Sequence, residues 1–413
     1  MWMYNLLLFL VLICPILEFK IPGMNYWDEL IVMAALIIGY IKWKKHLFIK
    51  DQKKEIYILI SLIVIGLLGN FFHPGYQHSL IAIGKDILAF IKFPLILITF
   101  QAYLGSKKQK EILKSGAIMI KWILYFMLVI ALIGYFIDIG VYQNEVRIVK
   151  CYQFFYSHPT FMVSSLVMMM GILIADGMDL NKKPLFVAAF LIFLSGRTKG
   201  YLMIIFLAFL FILQDKKIRH YILRLDNSKH KKKYMHLIVM LLGLCLTGVA
   251  GKKIYDNIQW GLTAARPALY IVGFQLAMRF FPIGSGFGTF ASYISGEYYS
   301  GIYSEYNIHQ VNGITKTKFN YIADTYPPYI IGQFGIIGAI IYCWLFFELI
   351  VNQLLRLKSK NRIYAFLFLW IYAFIASFAE SFFTNSSGVQ LAIILSVFIG
   401  IQSKVKRKMN HEK

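Results

Sequence analysis

Apolar runs repeat along the whole chain, and most approach the length that an α-helix needs to cross a bilayer, about 20 residues. Hydrophobic residues make up 59% of the 413 residues and charged residues only 15%, whereas a soluble domain carries about a quarter charged residues. Lipid offers no hydrogen-bond partners, so a spanning segment must satisfy its own backbone groups, as a helix does. The pattern predicts an all-α, polytopic helical membrane protein, with residues 1–413 as one integral membrane domain.

The apolar runs divide the chain into about twelve predicted transmembrane helices. These lie near residues 2–19, 25–42, 56–72, 79–104, 116–138, 158–175, 181–197, 199–213, 236–250, 328–350, 362–379 and 387–402. The first run has no basic region before it and no small-residue cleavage site, so we interpret it as a span and not as a signal peptide. The run from Pro184 to Leu213 lies between two basic connectors, which requires an even number of crossings. We therefore expect two short helices that meet near the outer face, around Arg197.

The connectors alternate strictly in charge, and this alternation orients the predicted bundle. Of the 43 Lys and Arg residues, 30 lie on the side that carries both termini and 11 on the other side. The six basic connectors are 42–55, 105–121, 176–183, 214–236, 352–362 and 403–413. Basic loops stay in the cytoplasm, so both termini are predicted to be cytoplasmic. The net charge of +23 then faces the cytoplasm and anionic lipid heads, and no nucleic-acid partner is expected.

The segment 251–327 is predicted to be one large extracytoplasmic loop, and it holds most of the polar chemistry. Residues 267–281 are apolar and follow Arg266-Pro267, which predicts a helix on the outer surface. Arg266 would then add a guanidinium to the free N–H groups of a helix start, an arrangement that favours phosphate. Arg279 lies at the other end of the same helix. Gly284 and Gly286 could let a ligand approach the backbone closely, or could form a plain surface turn.

Three side chains are candidates for a catalytic base at the outer face. Asp324 precedes the tenth span, where it could act as a base or as a helix N-cap. Glu380 ends the eleventh span, and His158 opens the sixth, where a structural role is the alternative. The four cysteines show no metal-ligand spacing, and the outer face has no acidic cluster that would hold Mg²⁺. No metal and no cofactor are therefore predicted.

Two basic residues are candidates for anion binding outside the large loop. Arg197 is predicted to lie at or just below the outer interface, where a guanidinium usually has an anionic partner, either a substrate or a structural acid. Lys92 is predicted near the middle of the fourth span, where an unpaired charge is costly. It would either pair with Asp86 or another helix, or line a groove for an anionic lipid.

Fixed arginines without a metal suit a reaction whose leaving group is a preformed diphosphate. The order of motifs across about 157–350 resembles the Wzy-type polymerases of the O-antigen polymerase and ligase superfamily. The motifs are SGRT at 195–198, Arg266, FPIGSGFG at 281–288, DTY at 324–326 and GQFG at 332–335.

This resemblance implies a GT-C-like fold and a metal-independent, inverting glycosyltransferase in the bacterial cytoplasmic membrane. Such an enzyme joins oligosaccharide repeat units that are carried on undecaprenyl diphosphate into O-antigen or capsule. Arg197, Arg266 and Arg279 would hold the diphosphates of donor and acceptor, and an outer-face base would activate the acceptor hydroxyl. A chain-length regulator and a flippase are the protein partners that the resemblance suggests.

Two other functions remain open from the sequence. An O-antigen ligase is one, but ligases carry a histidine just before the span that follows the loop, where this chain has Asp324. A lipid-linked oligosaccharide flippase or another transporter is the second. Only Lys85, Asp86 and Lys92 support a path through the membrane, because the other polar residues concentrate outside it.

Overall fold

The computed structural model describes residues 2–101, 106–146, 150–214, 259, 261–357 and 359–399. Among these residues, eight helices lie before position 215: α1 (Trp2–Leu17), α2 (Trp27–Lys44), α3 (Lys50–Phe72), α4 (Leu80–Thr99), α5 (Ser106–Phe136), α6 (Pro159–Gly177), α7 (Lys182–Leu194) and α8 (Thr198–Gln214). The described part of the large loop contains α9 (Ala265–Arg279), α10 (Tyr293–Glu297) and α11 (Gly301–Glu305). After it come α12 (Pro327–Arg356), α13 (Lys360–Ser377) and α14 (Ser386–Ile393), which continues as a π-helix over Ile394–Ile399. Between α5 and α6, strands β1 (Tyr142–Val146) and β2 (Lys150–Tyr152) pair antiparallel.

The predicted class of all-α membrane protein is confirmed in its main feature. Within the described ranges, five helices are long and apolar enough to cross a bilayer: Met24–Lys44, Lys50–Phe72, Lys108–Phe136, Pro159–Gly177 and Pro327–Arg356. A helix also lies at each of the other predicted spans, except 236–250. That span falls outside the described residues, along with 215–235, most of 251–260 and the C-terminal connector. The number of crossings stays a prediction.

The helix α6 lies at the centre of the bundle, and almost its whole surface is buried. It packs against α5, α7, α13 and α14. Such a helix needs no polar face, and its sequence is apolar all round, as expected for a helix surrounded by protein.

The run from Pro184 to Leu213 forms two helices, as the connector charges predicted. The first ends at Leu194, three residues before the predicted end at Arg197, and the second begins at Thr198. Gly196 turns the chain with a φ of 68°, a left-handed conformation that glycine adopts without strain. The short turn leaves Arg197 at the junction of the two helices.

The helices α3 and α12 form an antiparallel pair whose two ends differ in character. At one end, which we call the basic end, Lys54 Nζ lies 2.8 Å from Glu348 Oε1 and Arg356 Nη2 lies 2.5 Å from Asp51 Oδ2. At the other end, which we call the outer end, the backbone of α3 near Gly69 meets the glycine-rich loop. The basic end belongs to connectors that the charge count assigns to the cytoplasm.

The helix α12 is interrupted at Gly335, whose φ of 64° and ψ of −166° are not helical. The glycine-rich loop completes the interrupted hydrogen bonding. Ser285 N–H donates to the carbonyl of Gly332 over 3.0 Å, Gly286 N–H donates to that of Gln333 over 2.9 Å, and Ile337 N–H donates to that of Pro282 over 3.2 Å. Because buried backbone groups need partners, loop and helix form one structural unit.

Two buried polar side chains attach the same loop to the bundle. Asn70 of α3 accepts a hydrogen bond from Phe287 N–H and donates one to the Phe287 carbonyl, over 2.8 and 2.9 Å. Asp86 of α4 accepts from Gly288 N–H over 2.8 Å and is fully buried. Asp86 does not pair with Lys92, which was one interpretation of the sequence. Its observed contact is structural.

The sidedness of the bundle can be tested by cysteine labelling on intact cells or spheroplasts. In a background without native cysteines, Ser304→Cys in the exposed part of the large loop should react with an impermeant thiol reagent. Ser359→Cys, an exposed residue between α12 and α13, should react only after the membrane is permeabilised. The expected contrast follows from the charge alternation, and the opposite labelling pattern would invert the topology.

Candidate functional site

Four of the sequence-predicted site residues lie at helix ends that meet at the outer end of the bundle. Arg266 is in the first turn of α9, Asp324 lies three residues before α12, and Glu380 lies three residues after α13. Arg197 immediately precedes α8. In the predicted topology, the ends of α8, α12 and α13 that carry these residues lie on one side of the membrane, which agrees with their proximity in the structure.

The centre of the site is an ion pair between two residues that the sequence singled out for different roles. Arg266 Nε donates to Asp324 Oδ2 over 2.6 Å, and both side chains are about one-third exposed. The two terminal nitrogens of Arg266 make no hydrogen bond with any described residue. A guanidinium held by its Nε presents these nitrogens as a fork that fits a phosphate group.

The carboxylate of Asp324 lies in a mixed environment. Partial burial raises its pKa, and the charge and hydrogen bond of Arg266 oppose the rise. Glu380 raises the pKa further while Lys199 lowers it, so both groups lie close enough to act on Asp324. The N-cap of α12 is Tyr326, without a side-chain hydrogen bond. The interpretation of Asp324 as an N-cap is therefore wrong, and its side chain pairs with Arg266 instead.

A second ion pair lies beside the first and is more deeply buried. Lys199 Nζ lies 2.6 Å from Glu380 Oε1, and the two side chains are 9% and 13% exposed. The ammonium also lies 5.5 Å from the centroid of the Tyr372 ring. Glu380 is thus committed to a buried lysine, whereas Asp324 faces a more open arginine. Of the two carboxylates, Asp324 is the more accessible.

Hydrogen bonds to the backbone fix the positions of Asp324 and Glu380 relative to each other. Ser381 N–H and its hydroxyl both donate to the carbonyl of Ala323, over 3.2 and 2.7 Å. Tyr326 N–H donates to the carbonyl of Ser377 over 2.9 Å. The segment that carries Asp324 is therefore fixed to the end of α13, which carries Glu380.

Arg197 and His158, two further candidates, lie against each other. Arg197 Nη2 is 3.2 Å from His158 Nε2 and 3.2 Å from Gln143 Oε1 on β1. His158 also caps α6, because its Nδ1 accepts from Thr160 N–H over 3.2 Å. These contacts make His158 a partner of Arg197 and of the helix start. Lys199 follows Arg197 by two positions in the chain, so the start of α8 carries one member of each pair.

The remaining basic candidates lie elsewhere. Lys92 is buried and pairs with Asp28 and Glu29 of α2, each at 2.6 Å, which is the pairing with another helix that the sequence left open. Arg279 pairs with Glu305 and lies 3.4 Å from the Tyr306 hydroxyl. It stands at the opposite end of α9 from Arg266, roughly 20 Å away along the helix axis at 1.5 Å per residue. Neither contacts the Arg266–Asp324 pair.

The close approach that Gly284 and Gly286 allow is occupied by protein. A Cβ on Gly284 would lie 2.3 Å from the backbone nitrogen of Gly335, and one on Gly286 would lie 2.3 Å from that of Asn70. Both glycines also have positive φ, 74° and 93°. Their observed role is to let the loop contact α12 and α3, and ligand binding by them stays a prediction.

Sequence reasoning did not single out two residues of the site, Lys199 and Gln143. Lys199 belongs to the same polar turn as Arg197 and is flanked by two apolar helices, which is the signal that could have identified it. Gln143 lies in a short hairpin whose sequence carries no comparable signal. Among the described residues, no group of three or more His, Cys, Asp or Glu side chains could hold a metal ion.

The buried ion pair makes a testable contribution to stability. Lys199→Met or Glu380→Gln alone should lower the thermal unfolding midpoint strongly, since leaving one member of a buried pair uncompensated costs about 3–5 kcal/mol. The double variant should recover much of the loss. Lys182→Met, which removes an exposed pair with Asp179, should change the midpoint little. Additive losses in the double variant would show that the two residues are not coupled.

Comparison with protein-family models gave no match, and comparison with curated proteins gave none.

Proposed function

We propose that the chain is an oligosaccharide repeat-unit polymerase, with the Arg266–Asp324 pair at its reaction centre. The observation that carries the proposal is a partly exposed arginine fork, fixed by a carboxylate, beside a second carboxylate and two more basic side chains. Cations suit a diphosphate leaving group, and a carboxylate with a raised pKa suits proton removal from a sugar hydroxyl. The motif order that resembles Wzy-type polymerases supports the same assignment.

The proposed roles follow from the contacts of each side chain. Arg266 binds the donor diphosphate through its terminal nitrogens, and Arg197 contributes a second positive charge. Asp324 acts as general base. Lys199 and Glu380 act as positioning residues, because their charges act on Asp324 and their pair holds the end of α13 against α8.

In the proposed reaction, the acceptor hydroxyl oxygen attacks the anomeric carbon of the donor glycan while Asp324 takes the hydroxyl proton. The bond from the anomeric carbon to the diphosphate oxygen breaks, and the diphosphate keeps the electron pair. Attack opposite to the leaving group inverts the anomeric centre. The new glycosidic bond lengthens the glycan, and undecaprenyl diphosphate is released.

The proposal places the reaction at the outer face of a bacterial cytoplasmic membrane, with about twelve spans and both termini inside. Donor and acceptor are undecaprenyl-diphosphate-linked glycans, and a flippase and a chain-length regulator are the proposed protein partners. Sugar stacking would fall to exposed aromatic rings in the loop, such as Tyr293, which is 61% exposed.

The decisive experiment is the glycan profile of a strain that lacks this chain. A polymerase predicts that single repeat units remain on the surface acceptor. Long chains that are made but not attached would identify a ligase instead. Absence of any repeat unit at the surface would identify a flippase. Complementation with the intact gene should restore the original chain lengths.

A separate prediction concerns metal ions. Polymerisation by the purified protein should continue in EDTA, since the proposed charge stabilisation comes from Arg266 and its basic neighbours. The measurement is glycan length after incubation of lipid-linked repeat units with and without chelator. Loss of activity in EDTA that Mg²⁺ restores would contradict the proposed chemistry.

A further inference from the structure

A groove of about 510 Å³ opens between α3 and α12 at the basic end of the bundle, far from the site described above. Its lining is Lys50, Lys53, Lys54, Tyr57, Ile58, Ser61 and Trp344. The first six share one face of α3, because their spacing follows the helical repeat. Trp344 closes the groove from α12.

The groove is basic at one end and mostly apolar along the rest of its length. The lysines lie in the first two turns of α3, and Ser61 lies 11 residues after Lys50, a rise of about 16 Å. The basic end therefore lies where the apolar run of α3 begins, at the level of lipid headgroups, and the rest points into the hydrocarbon region. The groove therefore matches an anionic lipid, whose charged headgroup is followed by an apolar acyl chain.

The side chains along the wall are held in place. Trp344 Nε1 donates to Glu348 Oε1 over 3.1 Å, and Lys54 Nζ lies 2.8 Å from the same oxygen and 5.1 Å from the centroid of the indole ring. Tyr57 and Trp344 keep large exposed surfaces, 59% and 46%. These rings give a flat wall suited to an acyl chain near the membrane interface.

The positive charge at the opening is only partly compensated. Lys54 is paired with Glu348, whereas Lys50 and Lys53 make no ion pair with any described residue. Asp51, between them in sequence, pairs with Arg356 instead. Two uncompensated lysines at headgroup level attract an anionic headgroup, and basic pockets between transmembrane helices on this side of a membrane are typical lipid sites.

We propose that this groove is a binding site for an anionic glycerophospholipid, whose phosphate contacts Lys50 and Lys53 and whose acyl chain lies along Tyr57, Ser61 and Trp344. The site is distinct from the proposed reaction centre and does not depend on its function. It joins α3 to α12 at the basic end, as the glycine-rich loop joins them at the outer end. A bound lipid therefore stabilises the same helix pair that carries Gly335.

Quenching of Trp344 fluorescence tests the proposal. The protein is reconstituted in phosphatidylcholine vesicles that contain either brominated phosphatidylglycerol or brominated phosphatidylcholine. The Trp344 signal is the difference between the parent protein and Trp344→Phe. Brominated phosphatidylglycerol should quench this signal more strongly at equal content, and the preference should weaken as salt is added.

Lysine variants test whether the preference for phosphatidylglycerol arises in the groove. Lys50→Gln with Lys53→Gln should lower the preference for phosphatidylglycerol roughly twenty-five-fold, at about fivefold for each lysine near a charged surface. Lys108→Gln with Lys110→Gln, two exposed residues at the start of α5, should leave it unchanged. Both double variants should unfold at the same temperature in detergent.

Equal quenching by both lipids in the parent protein would show that Trp344 contacts the surrounding bilayer lipid without preference. That result would overturn the proposal. A preference that survives the removal of Lys50 and Lys53 would overturn it as well. Neither result bears on glycan polymerisation, which is measured separately.

Discussion

Replacement of Asp324 by asparagine should lower polymerisation about 10²–10⁴-fold, the contribution typical of a positioned general base. Asparagine keeps the size of the side chain and can still accept a hydrogen bond from Arg266 Nε, but it cannot take a proton. Protein abundance and the unfolding temperature should therefore stay near those of the parent. The measurement is glycan length and initial rate, each normalised to the amount of protein in the membrane.

Two comparisons make the Asp324 result specific. Glu297→Gln removes an exposed carboxylate of the same loop, which pairs with Lys85, and should leave the rate nearly unchanged. Glu380→Gln should act mainly through stability, because Glu380 is bound to buried Lys199. If Glu380→Gln abolishes the reaction in a stable protein while Asp324→Asn does not, the base is Glu380.

Replacement of Arg266 by alanine should lower the rate about 10²–10³-fold, as expected for the loss of one preorganised donor to a developing anion. Arg266→Lys keeps the charge but not the fork, so it should retain an intermediate rate. Arg356→Ala is the matched control, since Arg356 also pairs with a single aspartate but at the basic end. If Arg266→Ala polymerises normally per molecule, the diphosphate role is wrong.

The pH dependence gives the Arg266 variant a second readout. A general base acts in its ionised form, so activity should rise as pH increases through the pKa of Asp324. Burial raises that pKa and Arg266 opposes the rise. Removal of the guanidinium should therefore move the acidic limb of the rate profile to higher pH. An unchanged profile in Arg266→Lys and a shifted one in Arg266→Ala would assign the effect to charge.

The sequence predicted best those features that depend on local composition. The lengths of the apolar runs predicted where the helices lie. The charges of the two flanking connectors predicted that α7 and α8 are separate helices that meet near Arg197. Pro267 located the helix that carries Arg266 to within two residues of its observed start at Ala265. These signals are local, since each is contained in one helix or one connector. Burial in a bilayer strengthens them because a polar backbone has no other partner there.

The sequence did not predict which side chains pair. Arg266 and Asp324 are 58 residues apart, and Lys199 and Glu380 are 181 apart. Such partners are fixed only by the packing of whole helices. The spacing of Gly332, Gly335 and Gly338 suits close helix packing as well as a helix break, so the interruption at Gly335 could not be read from it. Lys92 could likewise have paired with several acids.

The interruption at Gly335 also bears on the order in which the protein can be made. The outer half of α12 leaves backbone groups that its own helix cannot satisfy, and residues 282–286 supply the missing partners. These residues precede α12 in the chain, so they emerge from the ribosome first. In the predicted topology, they would have to reach the outer side of the membrane before α12 enters the lipid. Synthesis from the N-terminus provides that sequence of events, whereas a chain rearranged to place α12 ahead of the loop would insert a helix with an unsatisfied backbone.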